Sequence, residues 1–145
     1  MANPKLADTL TPLDAAFLNI ERRDATMNIG GLAIYAGRLT AEALIALLEA
    51  KIHLAPRYQQ RLVIDPLHLG QPRWAFDPAF DVRNHVFRVA LDQQRGDEEL
   101  AAVAGQLASM PLSRAKPMWE FHVIEGLAGE RTGLFFRVHH CMVDG

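Results

Sequence analysis

The sequence predicts a mixed α/β (α+β) domain, a mixed sheet in two layers with helices packed on it. Two observations carry that reading. Apolar residues recur at helical spacing in several segments opened by capping residues, and they alternate or run together in others bounded by glycine and proline. The two kinds of segment interleave along the chain, as a layered α and β architecture requires. The length, 145 residues, suits a single domain.

Thr11-Pro12-Leu13-Asp14 opens the first helix, expected over Pro12 to Glu21. Thr11 is the N-cap, Pro12 suits the first helical position and Asp14 stands close to a capping box. Met27 to Ala36 reads as a strand, with Gly30-Gly31 marking a bulge or a close backbone approach. Thr40 caps a second helix whose apolar face carries Leu44, Ile45, Leu48 and Ile52, with Pro56 as its end.

Arg61 to Ile64 and Arg73 to Phe76 form a short hairpin across turn signals at Pro66, Gly70 and Pro72. His85, Phe87, Val89 and Leu91 alternate on one face of a further strand. Asp97 begins a third helix, carrying Leu100, Val103, Ala104 and Leu107 inward, and Pro111 stops it. Trp119 to Leu127 and Leu134 to His139 read as a hairpin, with Gly126 to Gly133 as the turn region.

Composition excludes several classes. Half of the residues are hydrophobic and 22% are charged, which is too apolar for disorder as the main state. No apolar run approaches the ~20 residues of a membrane span; the longest candidate, Ala41 to Leu48, is broken by Glu42. A net charge of −2 leaves no basic surplus for nucleic acid, so no nucleic-acid partner is expected. The sole cysteine, Cys141, excludes an intramolecular disulfide and fits a reducing cytoplasm. The opening residues lack the apolar core of a signal peptide, so a cytoplasmic location is expected.

The residues with chemical capacity are His139-His140-Cys141-Met142-Val143-Asp144-Gly145. Histidine exchanges protons near neutral pH. If the strand stays extended, His140 shares a face with Leu134, Phe136 and Val138, and His139 shares the other with Phe135 and Arg137. One ring can then act in a cavity while its neighbour packs. Asp144 can bend back to orient a ring or pair with an arginine, and Gly145 leaves room for a substrate. A hydrogen-bonded histidine pair followed by an Asp-Gly turn accounts for the same residues without chemistry. Divergent neighbouring histidines with one thiol make a poor ligand set, so no metal is expected.

His-His-x-x-x-Asp-Gly resembles the signature of the coenzyme A-dependent acyltransferase superfamily, to which chloramphenicol acetyltransferase and peptide synthetase condensation domains belong. Three further blocks are similar to the bacterial wax ester synthase/acyl-CoA:diacylglycerol acyltransferase family. They are Thr11 to Leu18 followed by Glu21, Met27 to Leu32, and Pro111 to Glu120 followed by Ile124 to Leu127. Asn28, Met118 and Cys141 depart from the family's usual histidine, leucine and small residue, and none removes a reacting group.

The resemblance implies a chloramphenicol acetyltransferase-like fold, with residues 1–145 as the N-terminal acyltransferase domain and a C-terminal domain absent from this chain. A fragment lacking half of an interdomain tunnel is expected to be inactive alone. It implies transfer of a fatty acyl group from acyl-CoA to diacylglycerol or a long-chain alcohol, making triacylglycerol or wax ester. Acyl-CoA is then a co-substrate, with no bound cofactor. His140 is implied as general base, His139 as supporting residue, Asp144 as structural carboxylate and Gly145 as channel space. Cys141 is read as a small packing residue.

Pro117 and Trp119 have two readings, as part of an acyl channel or as core. Arg22, Arg23, Arg114 and Lys116 could meet CoA phosphates or stand as ordinary surface charges. Lipid substrates imply peripheral contact with a membrane or lipid droplet surface. Another CoA acyltransferase or condensation enzyme of the same superfamily, or a non-catalytic binding fragment, is the competing reading.

Overall fold

The computed structural model of the chain describes residues 8–67 and 70–143. Asp144 and Gly145, the last two residues of the histidine motif, lie outside the described residues.

Helix α1 (Pro12–Ile20) begins at Thr11, whose hydroxyl accepts the Asp14 amide at 3.1 Å and donates to the Asp14 carboxylate at 2.7 Å. Glu21, expected as the last helical residue, is the C-cap in an extended conformation. Strand β1 (Asn28–Ala36) follows. It pairs with its neighbour without a register break, so Gly30-Gly31 marks a close approach and no bulge. A Cβ on Gly31 would lie 2.7 Å from the Phe136 ring.

Helix α2 (Ala41–Lys51) is capped by the Thr40 hydroxyl. It stops well before Pro56, because Ile52–Leu54 tightens into a 3-10 turn and Ala55, preceding the proline, leaves the helical region. Strands β2 (Gln60–Val63) and β3 (Arg73–Phe76) form a separate antiparallel hairpin.

Strand β4 (Val86–Arg95) starts after His85, which closes a 3-10 turn (Val82–His85) capped by Asp81. His85 therefore does not share a strand face with Phe87 as the alternation suggested. Its buried ring stacks on Trp119 at 4.2 Å, and Nδ1 lies 2.9 Å from the Trp119 carbonyl. Helix α3 (Asp97–Ser109) has Leu100 and Ala104 on its buried side.

The long hairpin is β5 (Trp119–Leu127) and β6 (Arg131–His139), closed by Ala128, Gly129 and Glu130. Pairing continues past Gly133 to Leu127 opposite Arg131, so β6 begins earlier than expected and the turn is tighter. The register shifts between Ile124 and Leu127, where Gly126 adopts φ +91 and a Cβ would lie 2.5 Å from the Leu91 carbonyl oxygen. That left-handed backbone favours glycine.

The main sheet has the order β1-β6-β5-β4, with β4 parallel to β5 and the other pairs antiparallel. The parallel pair needs a crossover, and α3 supplies it. Successive residues of β5 and β6 point to opposite faces. Ile124 and Phe135 pack on Leu100 and Ala104 of α3. Val123 and Leu134 pack on Ala41 and Leu44 of α2. Trp119 and Val138 join α1 and the β2–β3 hairpin through Ala15, Leu18, Leu62 and Trp74. Among the described residues no helix is long and apolar enough to cross a membrane.

Candidate active site

The site forms where β6 ends. The strand stays extended through His139 and then tightens into a 3-10 turn, His140–Met142. The junction is held on both sides. The His139 amide donates to the Met118 carbonyl at 2.9 Å, and the His140 amide donates to the Met27 carbonyl at 2.7 Å. The doublet is thereby fixed to the β5 entry and to the residue before β1.

The two rings have different surroundings. His139 is 1% exposed. Its Nδ1 accepts the Cys141 amide at 3.1 Å, and its Nε2 lies 3.4 Å from Glu21 Oε1. An Nδ1 that accepts from a backbone N–H carries no proton, so the neutral ring is the Nε2–H tautomer, aimed at the carboxylate. The 3.4 Å contact is an ion-pair distance, longer than a well-formed hydrogen bond. Burial pushes the His139 pKa below its usual value, and the nearby Glu21 charge only partly offsets that.

His140 is half-buried, and its ring stacks on Phe17 of α1 with centroids 3.9 Å apart and planes 19° from parallel. Its Nδ1 is buried without a hydrogen-bond partner among the described residues. The stack fixes the plane of the ring.

Glu21 organises the surroundings of the doublet. Its side chain is 6% exposed. Oε2 accepts from Arg114 Nη2 at 2.8 Å, and Oε1 accepts the Met27 amide at 3.2 Å. Arg114 also donates to the Leu18 carbonyl at 2.8 Å. Burial alone would raise the Glu21 pKa, but the hydrogen bonds from Arg114 and Met27, with the charges of His139 and Arg114, hold it below the usual carboxylate range. Its contacts were not legible in the sequence, since its partners Arg114 and His139 are remote along the chain.

The other expected residues divide. Trp119 is in the core, with Nε1 donating to the Tyr58 carbonyl at 2.7 Å. It also lines an apolar cavity of about 350 Å³ with Tyr35, Tyr58, Phe121, Phe136 and Val138. Pro117 is fully buried; its carbonyl accepts the Trp119 amide, and it does not line that cavity. Three of the four basic residues are engaged by partners within the chain. Arg22 pairs with Asp24, Arg114 with Glu21, and Lys116 with the Asn84 carbonyl and Glu120. Cys141 is buried, and burial pushes its thiol up to about 12, far from a nucleophilic thiolate. Among the described residues no cluster of histidine, cysteine and carboxylate side chains could hold a metal ion.

A family model described as the wax ester synthase/diacylglycerol acyltransferase catalytic domain matches residues 10–145. The chain belongs to the wax ester synthase/diacylglycerol acyltransferase family. A relative named as a probable diacylglycerol O-acyltransferase, tgs1 of Mycobacterium tuberculosis, is 39% identical over 139 residues, which cover 94% of this chain and 30% of the relative.

Among solved structures, the wax ester synthase/diacylglycerol acyltransferase of Marinobacter aquaeolei VT8 superposes with a TM-score of 0.76 at 33% identity. The match covers 95% of this chain and 35% of that one. The starter condensation domain of rhizomide synthetase, solved in complex with C8-CoA, superposes with a TM-score of 0.74 over 96% of this chain and 32% of that one. At 15% identity that likeness speaks for the fold alone. The chain thus spans about a third of the length of these family members.

Proposed function

We propose that this chain carries the general base of an O-acyltransferase that moves a fatty acyl group from acyl-CoA to diacylglycerol, or to a long-chain alcohol to form a wax ester. The observation that carries the reading is His140, half-buried, held face-on to Phe17 and tied through its amide to Met27, within a motif inside the family match. With Nδ1 buried, Nε2 is the nitrogen that takes the proton. The acceptor hydroxyl gives its proton to Nε2 as its oxygen attacks the thioester carbonyl. The tetrahedral intermediate then expels the CoA sulfur, which recovers the proton from His140.

Such base catalysis contributes about 10²–10⁴-fold. Positioning of the two substrates and hydrogen bonds to the developing oxyanion supply the rest. His139 supports the turn, and Asp144 and Gly145 complete the motif as orienting carboxylate and open channel. Acyl-CoA serves as co-substrate. Lipid acceptors bring the protein to a membrane or lipid droplet surface peripherally, from the cytoplasmic side.

The test is acyl transfer from a long-chain acyl-CoA by the complete gene product, with diacylglycerol and hexadecanol as acceptors. His140→Ala should lower kcat for both acceptors by at least about 100-fold. Retained turnover would remove His140 as the base. Transfer to neither acceptor by the unaltered enzyme would overturn the lipid assignment.

A further inference from the structure

We infer that Glu21 is the positioning residue of the histidine doublet, fixing from two sides the backbone that carries His140; the inference rests on His140 being the base. One carboxylate oxygen makes both connections. Glu21 Oε1 accepts the Met27 amide at 3.2 Å, and the Met27 carbonyl in turn accepts the His140 amide at 2.7 Å. The same Oε1 faces His139 Nε2 at 3.4 Å, and His139 Nδ1 in turn accepts the Cys141 amide at 3.1 Å. The first path holds His140 at its own N–H through hydrogen bonds; the second reaches the residue after it through the longer His139–Glu21 contact.

The other oxygen, Oε2, is anchored by Arg114, which also grips the Leu18 carbonyl in the last turn of α1. Glu21 caps α1, so the helix that presents Phe17 to the His140 ring is tied to the same carboxylate. Ring plane and backbone therefore share one reference point. A carboxylate suits that point because its oxygens accept several hydrogen bonds at once, which an alkyl side chain of equal size cannot do.

Displacement of a base by about 1 Å can cost on the order of 10²-fold in rate. Glu21→Leu keeps the bulk and removes both acceptors. It should lower kcat for diacylglycerol about 10–100-fold while KM for acyl-CoA stays within about twofold. Glu21→Gln retains one carbonyl oxygen and should recover most of that loss. A Leu variant with unaltered kcat, or a Gln variant no better than Leu, would overturn the inference.

A second measurement needs no variant. Long-range ¹⁵N–¹H spectra of the histidine-labelled protein should show His139 as the neutral Nε2–H tautomer, and an Nδ1–H tautomer would equally overturn it. The outcomes separate the two claims. Activity surviving in His140→Ala defeats the functional reading. Activity lost there but intact in Glu21→Leu defeats only the positioning role.

Discussion

Glu120 and Arg137 are direct register partners across β5 and β6, with Arg137 Nη2 2.7 Å from the Glu120 carboxylate. The pair lies on the α3 face of the sheet, where Arg137 also donates to the carbonyls of Leu107 and Met110. The Leu107 carbonyl also accepts the Met110 amide at 3.3 Å, and the Met110 carbonyl accepts the Asn28 side-chain amide at 2.9 Å. One buried arginine thus joins the strand that ends in the histidine doublet to the end of the crossover helix. Glu120 additionally receives His122 Nε2 at 3.3 Å and lies 3.4 Å from Lys116 Nζ.

Removing the carboxylate should cost more than the pair contributes, because the guanidinium stays buried. The side chains of Arg137 and Glu120 are 4% and 10% exposed. Breaking a buried pair by deleting one partner typically costs about 3–5 kcal/mol. Glu120→Ala is expected to lose stability in that range in urea denaturation, and Arg137→Ala to lose a comparable amount by leaving the buried Glu120 carboxylate without its arginine. Replacing both together should cost less than the sum of the single changes. Strict additivity in this cycle would mean that the pair does not couple.

Acid should destabilise the domain in two stages. The first involves His85 and His139, whose pKa values are lowered chiefly by burial. The unfolded chain binds those protons first, so stability present above the ordinary histidine value of 6.5 declines as pH falls below it. The second stage belongs to Glu120. Burial works to raise its carboxyl, but His122, Arg137 and Lys116 outweigh that and bring it from 4.5 to about 2. That depression is worth on the order of 3 kcal/mol, present above pH 4.5 and lost as pH falls towards 2. Urea midpoints measured from pH 8 to pH 3 should fall in both windows. In Glu120→Gln the loss below pH 4.5 should shrink, and an unchanged acid limb would refute the assignment.

The helices were legible because their signals are local. Thr11-Pro12 and Thr40 open α1 and α2, and the spacing of Leu100 and Ala104 marks the buried side of α3. The histidine doublet was legible from residue type and order. What stayed hidden depends on contacts between remote segments. Periodicity cannot distinguish the last residue of a 3-10 turn from the first of a strand, so His85 read as the start of β4 although its ring belongs to Trp119. Gly126 and Gly133 read as turn ends because a strand glycine resembles a loop glycine until its neighbours are known. At Gly133 the neighbour is Leu100, 2.8 Å from where a Cβ would stand. Glu21 stands in a recognisable run of the sequence, but its contacts exist only once α1, Arg114 and His139 have met.

The two glycines of β1 should differ in their tolerance of a methyl group. On Gly30 it would lie 2.5 Å from the Phe136 backbone oxygen, which cannot move without disturbing the β1–β6 ladder. On Gly31 it would meet the far end of the Phe136 side chain, whose residue is 41% exposed, rather than a backbone atom. Gly30→Ala is therefore expected to cost about 1–3 kcal/mol, the range for overpacking a fixed neighbour, and Gly31→Ala distinctly less. Thermal denaturation of the two variants orders them, and equal losses would place the constraint on the strand rather than on Phe136.

Cys141 stands beside the proposed base, which invites a covalent acyl-enzyme, but its surroundings oppose one. The thiol is packed with Val138, Met142 and Trp119 in the core, and burial, the dominant effect, raises it to about 12 with Asp14 and Glu21 adding to the rise. A thiol in that state supplies almost no thiolate at neutral pH and behaves as a small apolar group. Cys141→Ala should therefore retain acyl transfer within about threefold and lose only the ~1 kcal/mol expected for a small deletion from a core. In the native protein at pH 8, Cys141 should resist iodoacetamide, becoming alkylated only on addition of denaturant, as peptide mass mapping would show. Rapid native alkylation accompanied by loss of transfer, together with an inactive Cys141→Ala, would restore the covalent route and remove direct attack by the alcohol.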